Sequence, residues 1–143
     1  MNVKVESIFR PDLSTASAQP YFEAKVAAGF PSPAADYEES RLDLNRHLIK
    51  NPAATFFVRV SGESMLGAGI HHGDLLIVDR SLEPKDKNVV IAVVNGDMTV
   101  KRIRIRKKKI SLEPENTDYA VQNIGDTTEF QVWGVVTAVI HSL

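Results

Sequence analysis

Val89-Val90-Ile91-Ala92-Val93-Val94-Asn95-Gly96-Asp97-Met98-Thr99-Val100-Lys101-Arg102-Ile103-Arg104-Ile105 decides the fold class of this 143-residue chain. A β-branched apolar run meets Asn-Gly, the dipeptide that suits a two-residue hairpin turn, and the chain then returns in alternating polarity. Working outward, Thr55–Val60, Asp74–Val78, Ile110–Leu112 and Phe130–Ile140 read as further strands, each bounded by Gly, Pro or Asp. Helix is scarce. Asp43 is placed to cap one short helix carrying Leu44, Leu48 and Ile49 and stopped by Asn51-Pro52. Another short helix is expected over Pro20–Ala28, capped by Gly29. The expected fold is mainly β.

Four of seven prolines lie in the first 33 residues, in a stretch rich in Ser and Ala with no sustained hydrophobic period. It reads as a flexible N-terminal arm, joined through the extended Phe30-Pro31-Ser32-Pro33-Ala34 to a β body. The chain has no cysteine, which excludes thiol nucleophiles, disulfides and thiolate-bound metals. No run reaches the ~18 apolar residues of a membrane span, and Glu23 and Lys25 interrupt any signal-peptide core before Ala27-Ala28. A cytoplasmic protein without a membrane partner is expected. The net charge of -1 does not suggest a general nucleic-acid binder, although seven of 17 basic residues fall between Lys101 and Lys109.

Three groups of residues could carry chemistry. Across a two-residue hairpin Lys101 falls opposite Val90, on the strand face it shares with Thr99, Ile103 and Ile105. Desolvated there without an acid, its amine becomes a general base; the competing reading is a lysine whose stem packs while its ammonium snorkels to water. Ser61-Gly62-Glu63-Ser64-Met65 follows a strand directly, so a serine at the turn can be a nucleophile with backbone N–H groups as an oxyanion hole, or simply a cap. Leu66 stands where the G-x-S-x-G elbow needs Gly, which disfavours an α/β-hydrolase. His71, His72 and Asp74 raise a Ser-His-Asp triad, but they sit in a turn where His and Asp are common, and adjacent histidines point apart, so no metal site is expected. Finally, Arg102, Arg104 and Arg106 with Lys107, Lys108 and Lys109 could follow phosphates, making the chain a non-enzymatic nucleic-acid-binding β module, or form a solvated face that guards a sheet edge.

Taken together, Gly29-Phe30-Pro31-Ser32-Pro33-Ala34-Ala35-Asp36-Tyr37, Ser61-Gly62-Glu63-Ser64-Met65, Gly73-Asp74-Leu75-Leu76-Ile77-Val78-Asp79 and Thr99-Val100-Lys101 resemble the LexA-like self-cleaving serine peptidases, and among them the UmuD-type proteins of SOS mutagenesis. The resemblance covers nearly all of the chain after residue 29. It implies the LexA-like peptidase fold of short, strongly bent strands. It also implies a Ser-Lys dyad, with Ser64 as nucleophile, Lys101 as general base, and the Ser64 and Met65 N–H groups as oxyanion donors. The bond cut would be Ala28–Gly29, which matches the Ala-Gly of LexA repressors where some UmuD-type members carry Cys. The implied organisation is a removable arm over 1–28, an extended linker over 29–39, and a β-rich peptidase and dimerisation domain over 40–143. The implied partners are a second copy, a RecA filament on single-stranded DNA and a UmuC-like Y-family DNA polymerase, with no cofactor. An arm of 28 residues is too short for a helix-turn-helix, so sequence-specific DNA binding is not expected.

Overall fold

The computed structural model describes residues 2–14, 18–22 and 38–143, which fall into two compact units, 12–50 and 1–11 with 51–143. In the smaller unit β2 (Ala18–Phe22) pairs antiparallel with β3 (Glu38–Asp43), and α1 (Leu44–Leu48) follows at once. Asp43 caps α1 as its sequence predicts, its Oδ1 accepting the Asn45 N–H at 3.0 Å. Pro20–Phe22 lies in β2, not in a helix, and residues 23–29 of that expectation lie outside the described residues. Pairing with β3 overrides a local helical signal that rested on a single proline and a few helix formers.

The larger unit is an antiparallel sheet ordered β1-β4-β5-β10-β6-β7-β8-β9. Its strands are β1 (Lys4–Phe9), β4 (Thr55–Ser61), β5 (Leu75–Asp79), β6 (Val89–Val94), β7 (Asp97–Arg106), β8 (Lys109–Glu113), β9 (Gln122–Ile124) and β10 (Phe130–Ile140). β1 also pairs with β7 through Lys4 and Thr99, so six strands close into a ring. The protein is mainly β, as its sequence predicts.

Alternation along the strands divides the core in two. Inside the ring, Val3, Val58, Val60, Met65, Ile70, Leu76, Val78, Ile91 and Val100 form one buried cluster. On the other face Val90, Ala92, Val94, Ile103, Leu112 and Val135 form a second, beneath the β7–β8 hairpin. β6 and β7 therefore contribute to both, with neighbours Val90 and Ile91 on opposite faces. The hairpin between them turns on Asn95 (φ 48°) and Gly96 (φ 87°), both left-handed as a primed turn requires. Its register puts Val90 opposite Lys101.

Gly134 marks a register shift in β10 where that strand crosses β5 and β6. A Cβ there would stand 2.5 Å from Val78 Cγ1 and 3.2 Å from Arg80 Cγ. Gly134→Ala is expected to lower stability by about 2 kcal/mol, because Val78 is walled in by the inner cluster and cannot swing away. Urea denaturation reads this directly, and an unchanged midpoint would show that the cluster yields.

Candidate active site

β4 delivers the chain to Ser61, and Gly62 (φ 100°) then turns it into a loop that no β-branched residue would follow. Glu115 and Asn116 hold that loop. The Glu115 N–H donates to Ser64 O at 2.8 Å, the Gly67 N–H donates to Glu115 O at 2.7 Å, and Asn116 Nδ2 donates to Glu63 O at 2.9 Å. Gly67 is needed here because a Cβ would sit 2.7 Å from the Glu115 carbonyl oxygen. Ser64 and Met65 are thereby fixed at zero exposure. Among the described residues no acceptor takes the N–H of either, which leaves both donors available to a developing oxyanion.

Lys101 reaches the same point from β7. Its Nζ lies 2.9 Å from Ser64 Oγ and 3.0 Å from Asn2 Oδ1, with the side chain 5% exposed. Among the described residues no carboxylate pairs with it. Burial alone lowers its pKa from the ordinary 10.5 to about 8. Of the two readings open for Lys101 in the sequence, the desolvated one describes the observed side chain: the amine is not at the surface.

Residues 2–9 complete the site, and no motif or spacing in the sequence points to them. The Val3 N–H donates to Ser64 Oγ at 2.9 Å, and Val3 O accepts from Thr99 Oγ1 at 2.8 Å. β1 then runs antiparallel along β4 from Lys4 opposite Ser61 to Phe9 opposite Phe57. Glu6 accepts a hydrogen bond from Ser61 Oγ, and Arg10 stacks over the Phe56 ring at 4.7 Å. Residues 4–9, read as arm in the sequence, are a strand of the main sheet. The remaining opening, lined by Asn2, Lys4, Met98, Thr99, Lys101 and Gln122, leads from solvent to the lysine.

The other candidates are engaged elsewhere. His72 Nδ1 accepts the Gly62 N–H at 3.3 Å. Asp74 is buried and turns its carboxylate to His141 Nδ1 at 2.6 Å and to the His71 N–H at 2.7 Å. It is Lys101, and not a histidine, that Ser64 meets. On the basic strand Arg102 pairs with Glu115 and donates to Lys87 O at 2.6 Å, while Arg104 bridges Asp86 at 3.1 Å and Glu113 at 3.4 Å. The Ile105 N–H above all holds the Asp86 carboxyl below its ordinary range; burial opposes it, and Arg104 and Lys87 add to the lowering. Two of the three guanidiniums are thus neutralised in place, which leaves Arg106 and Lys107–Lys109 at the hairpin end. Ala28 and Gly29 lie outside the described residues.

Residues 20–137 match the Peptidase S24-like family. The chain belongs to that family. It is 49% identical to Protein SamA of Salmonella typhimurium over 125 residues, covering 87% of this chain and 86% of that protein. It is 40% identical to Protein MucA of Escherichia coli over 142 residues, covering 99% and 94%. A LexA repressor from Shewanella denitrificans is 40% identical over 119 residues, 82% of this chain and 58% of the repressor. This S24 peptidase is thus a LexA-like, UmuD-type protein, and its class is that of serine-type, self-cleaving peptidases of the SOS response. Among the described residues no helix is long and apolar enough to cross a membrane.

Proposed function

We propose that Ser64 and Lys101 form a Ser-Lys dyad that cuts the chain's own Ala28–Gly29 bond. The observation that carries this is the 2.9 Å approach of a buried lysine, paired with no carboxylate among the described residues, to a buried serine at a turn with two free N–H groups. Neutral Lys101 takes the proton from Ser64 as Oγ attacks the Ala28 carbonyl carbon. The oxyanion is received by the N–H groups of Ser64 and Met65. The C–N bond breaks as the lysine ammonium returns its proton to the Gly29 amine. Water, deprotonated by the now neutral Lys101 amine, then hydrolyses the acyl-enzyme, and the lysine proton passes to the Ser64 oxygen as it leaves.

The cut would release residues 1–28 from a product of residues 29–143, with 29–39 as linker. By likeness to its UmuD-type relatives, the product is a homodimer that serves a UmuC-like Y-family polymerase in translesion synthesis, and a RecA filament on single-stranded DNA stimulates the cut. Intact-mass measurement tests the reading. Purified protein held at pH 9, or at pH 7.5 with a RecA filament, is expected to accumulate a fragment beginning at Gly29; a single uncut mass under both conditions overturns it.

A further inference from the structure

Residues 2–9 occupy the place that a cut strand has to take. The Asn2–Val3 peptide nitrogen is 2.9 Å from Ser64 Oγ, so the Asn2 carbonyl carbon, one bond away, is within about 4 Å of the nucleophile. Both groups of the dyad are also engaged: Ser64 accepts from Val3, and Lys101 donates to Asn2. Beyond this point the Val3 side chain is wholly buried among Val58, Val60, Met65 and Val100, and β1 ladders onto β4. Neighbouring strands lie ~4.8 Å apart, so a second backbone cannot fit between β1 and Ser64.

We propose that the groove between β4 and β7 is a binding site for an extended peptide strand, that residues 2–9 are its resting occupant, and that the segment carrying Ala28–Gly29 reaches Ser64 only by displacing them. The inference rests on the self-cleavage reading above. It makes the cleavage rate scale with the fraction of molecules whose β1 has left the groove. The replacing strand also takes over closure of the ring, so the inner cluster stays covered during the exchange.

A disulfide tests this cleanly in a chain without cysteine. Ser7 and Arg59 are Cα partners in the β1–β4 ladder, at a spacing a disulfide can bridge, and neither touches Ser64 or Lys101. With Ser7→Cys/Arg59→Cys, oxidation is expected to slow self-cleavage at least ~10-fold and reduction to restore it. In a Ser64→Ala form of the same variant, a fluorescein-labelled peptide of residues 22–34 should bind after reduction and be excluded after oxidation. Measurable cleavage at equal rates in the two redox states, or equal peptide binding, overturns the inference. A reduced form that binds the peptide but never cuts, with Ser64 present, overturns the dyad reading alone.

A different cluster carries a second site. The β5–β10 pairing brings His141, just past β10, beside Asp74, just before β5, and the tight turn ahead of Asp74 adds His71. One ligand atom from each lies within 4.8 Å of the others, and the imidazole rings are 4.4 Å apart. Ligand atoms about 2.1 Å from a tetrahedral ion are about 3.4 Å apart, so the 3.7 Å between His71 Nδ1 and Asp74 Oδ2 already suits one, and His141 Nδ1 joins them by exchanging its 2.6 Å hydrogen bond to Asp74 Oδ1 for the ion. The His71 N–H donates to Asp74 Oδ2 at 2.7 Å and fixes the carboxylate, and both imidazoles are exposed, which leaves coordination positions for water. We infer that His71, Asp74 and His141 bind one divalent transition-metal ion of the Zn2+ type. Calorimetric titration of the full chain with zinc should give one equivalent, weakened at least ~10-fold by His71→Ala and by His141→Ala but not by His47→Ala. No saturable binding of zinc, or binding indifferent to both ligand substitutions, overturns it.

Discussion

Ser64→Ala and Lys101→Ala are each expected to leave the chain uncut, with rates at least ~1,000-fold below the parent. The two losses should not add, because nucleophile and base act in one proton transfer and either deletion removes the whole step. The parent's pH profile follows from the buried amine. With a pKa of about 8, Lys101 is roughly one-tenth neutral at pH 7 and half neutral at pH 8, so cleavage should rise about fivefold between them and level off above pH 9. At the ordinary 10.5 the neutral fraction at pH 7 would be a few hundredfold smaller. Timed mass spectra at each pH give the rate. A profile still climbing steeply at pH 10 would place the titrating group in water and remove Lys101 from the role.

That lysine was legible because the features around it are local. Asn95-Gly96 sets the turn, the turn sets the register, and the register places Lys101 opposite Val90 on the apolar side, as observed. β6 and β10 were readable end to end for a similar reason: long β-branched runs bounded by turn residues admit few other interpretations. Residues 4–9 have comparable alternation, but their partners Ser61 and Thr99 are more than 50 residues away, and nothing in Lys4–Phe9 says which edge it joins. The prolines and serines that follow favour an arm on composition, and the closure of a ring overrides composition. Asn2 on Lys101 and His141 on Asp74 are legible only once the strand order is known, since side-chain contacts across 99 and 67 residues leave no periodic trace. β9 is three residues long and escapes any window.

The same lysine should also burden the fold, and Lys101→Met measures by how much. Methionine has a similar unbranched volume and no charge to desolvate. The sign follows from the direction of the shift: the folded-state pKa is depressed below the unfolded value, so between about pH 8 and 10.5 the unfolded chain binds more protons and stability rises with pH. At pH 7 the buried ammonium disfavours folding by about 3 kcal/mol, a penalty that is nearly gone at pH 10.5. In a Ser64→Ala background, where cleavage does not interfere, Lys101→Met forfeits the bond to Asn2, about 1 kcal/mol. It should therefore stabilise by about 2 kcal/mol at pH 7 and destabilise slightly at pH 10.5. Urea denaturation at the two pH values gives the difference, and a substitution effect that does not change with pH would mean that Lys101 is hydrated in the folded protein. Where the effect does cross sign, the fold tolerates at neutral pH a charge that it would be more stable without, and the neutral amine beside Ser64 is what that tolerance supplies.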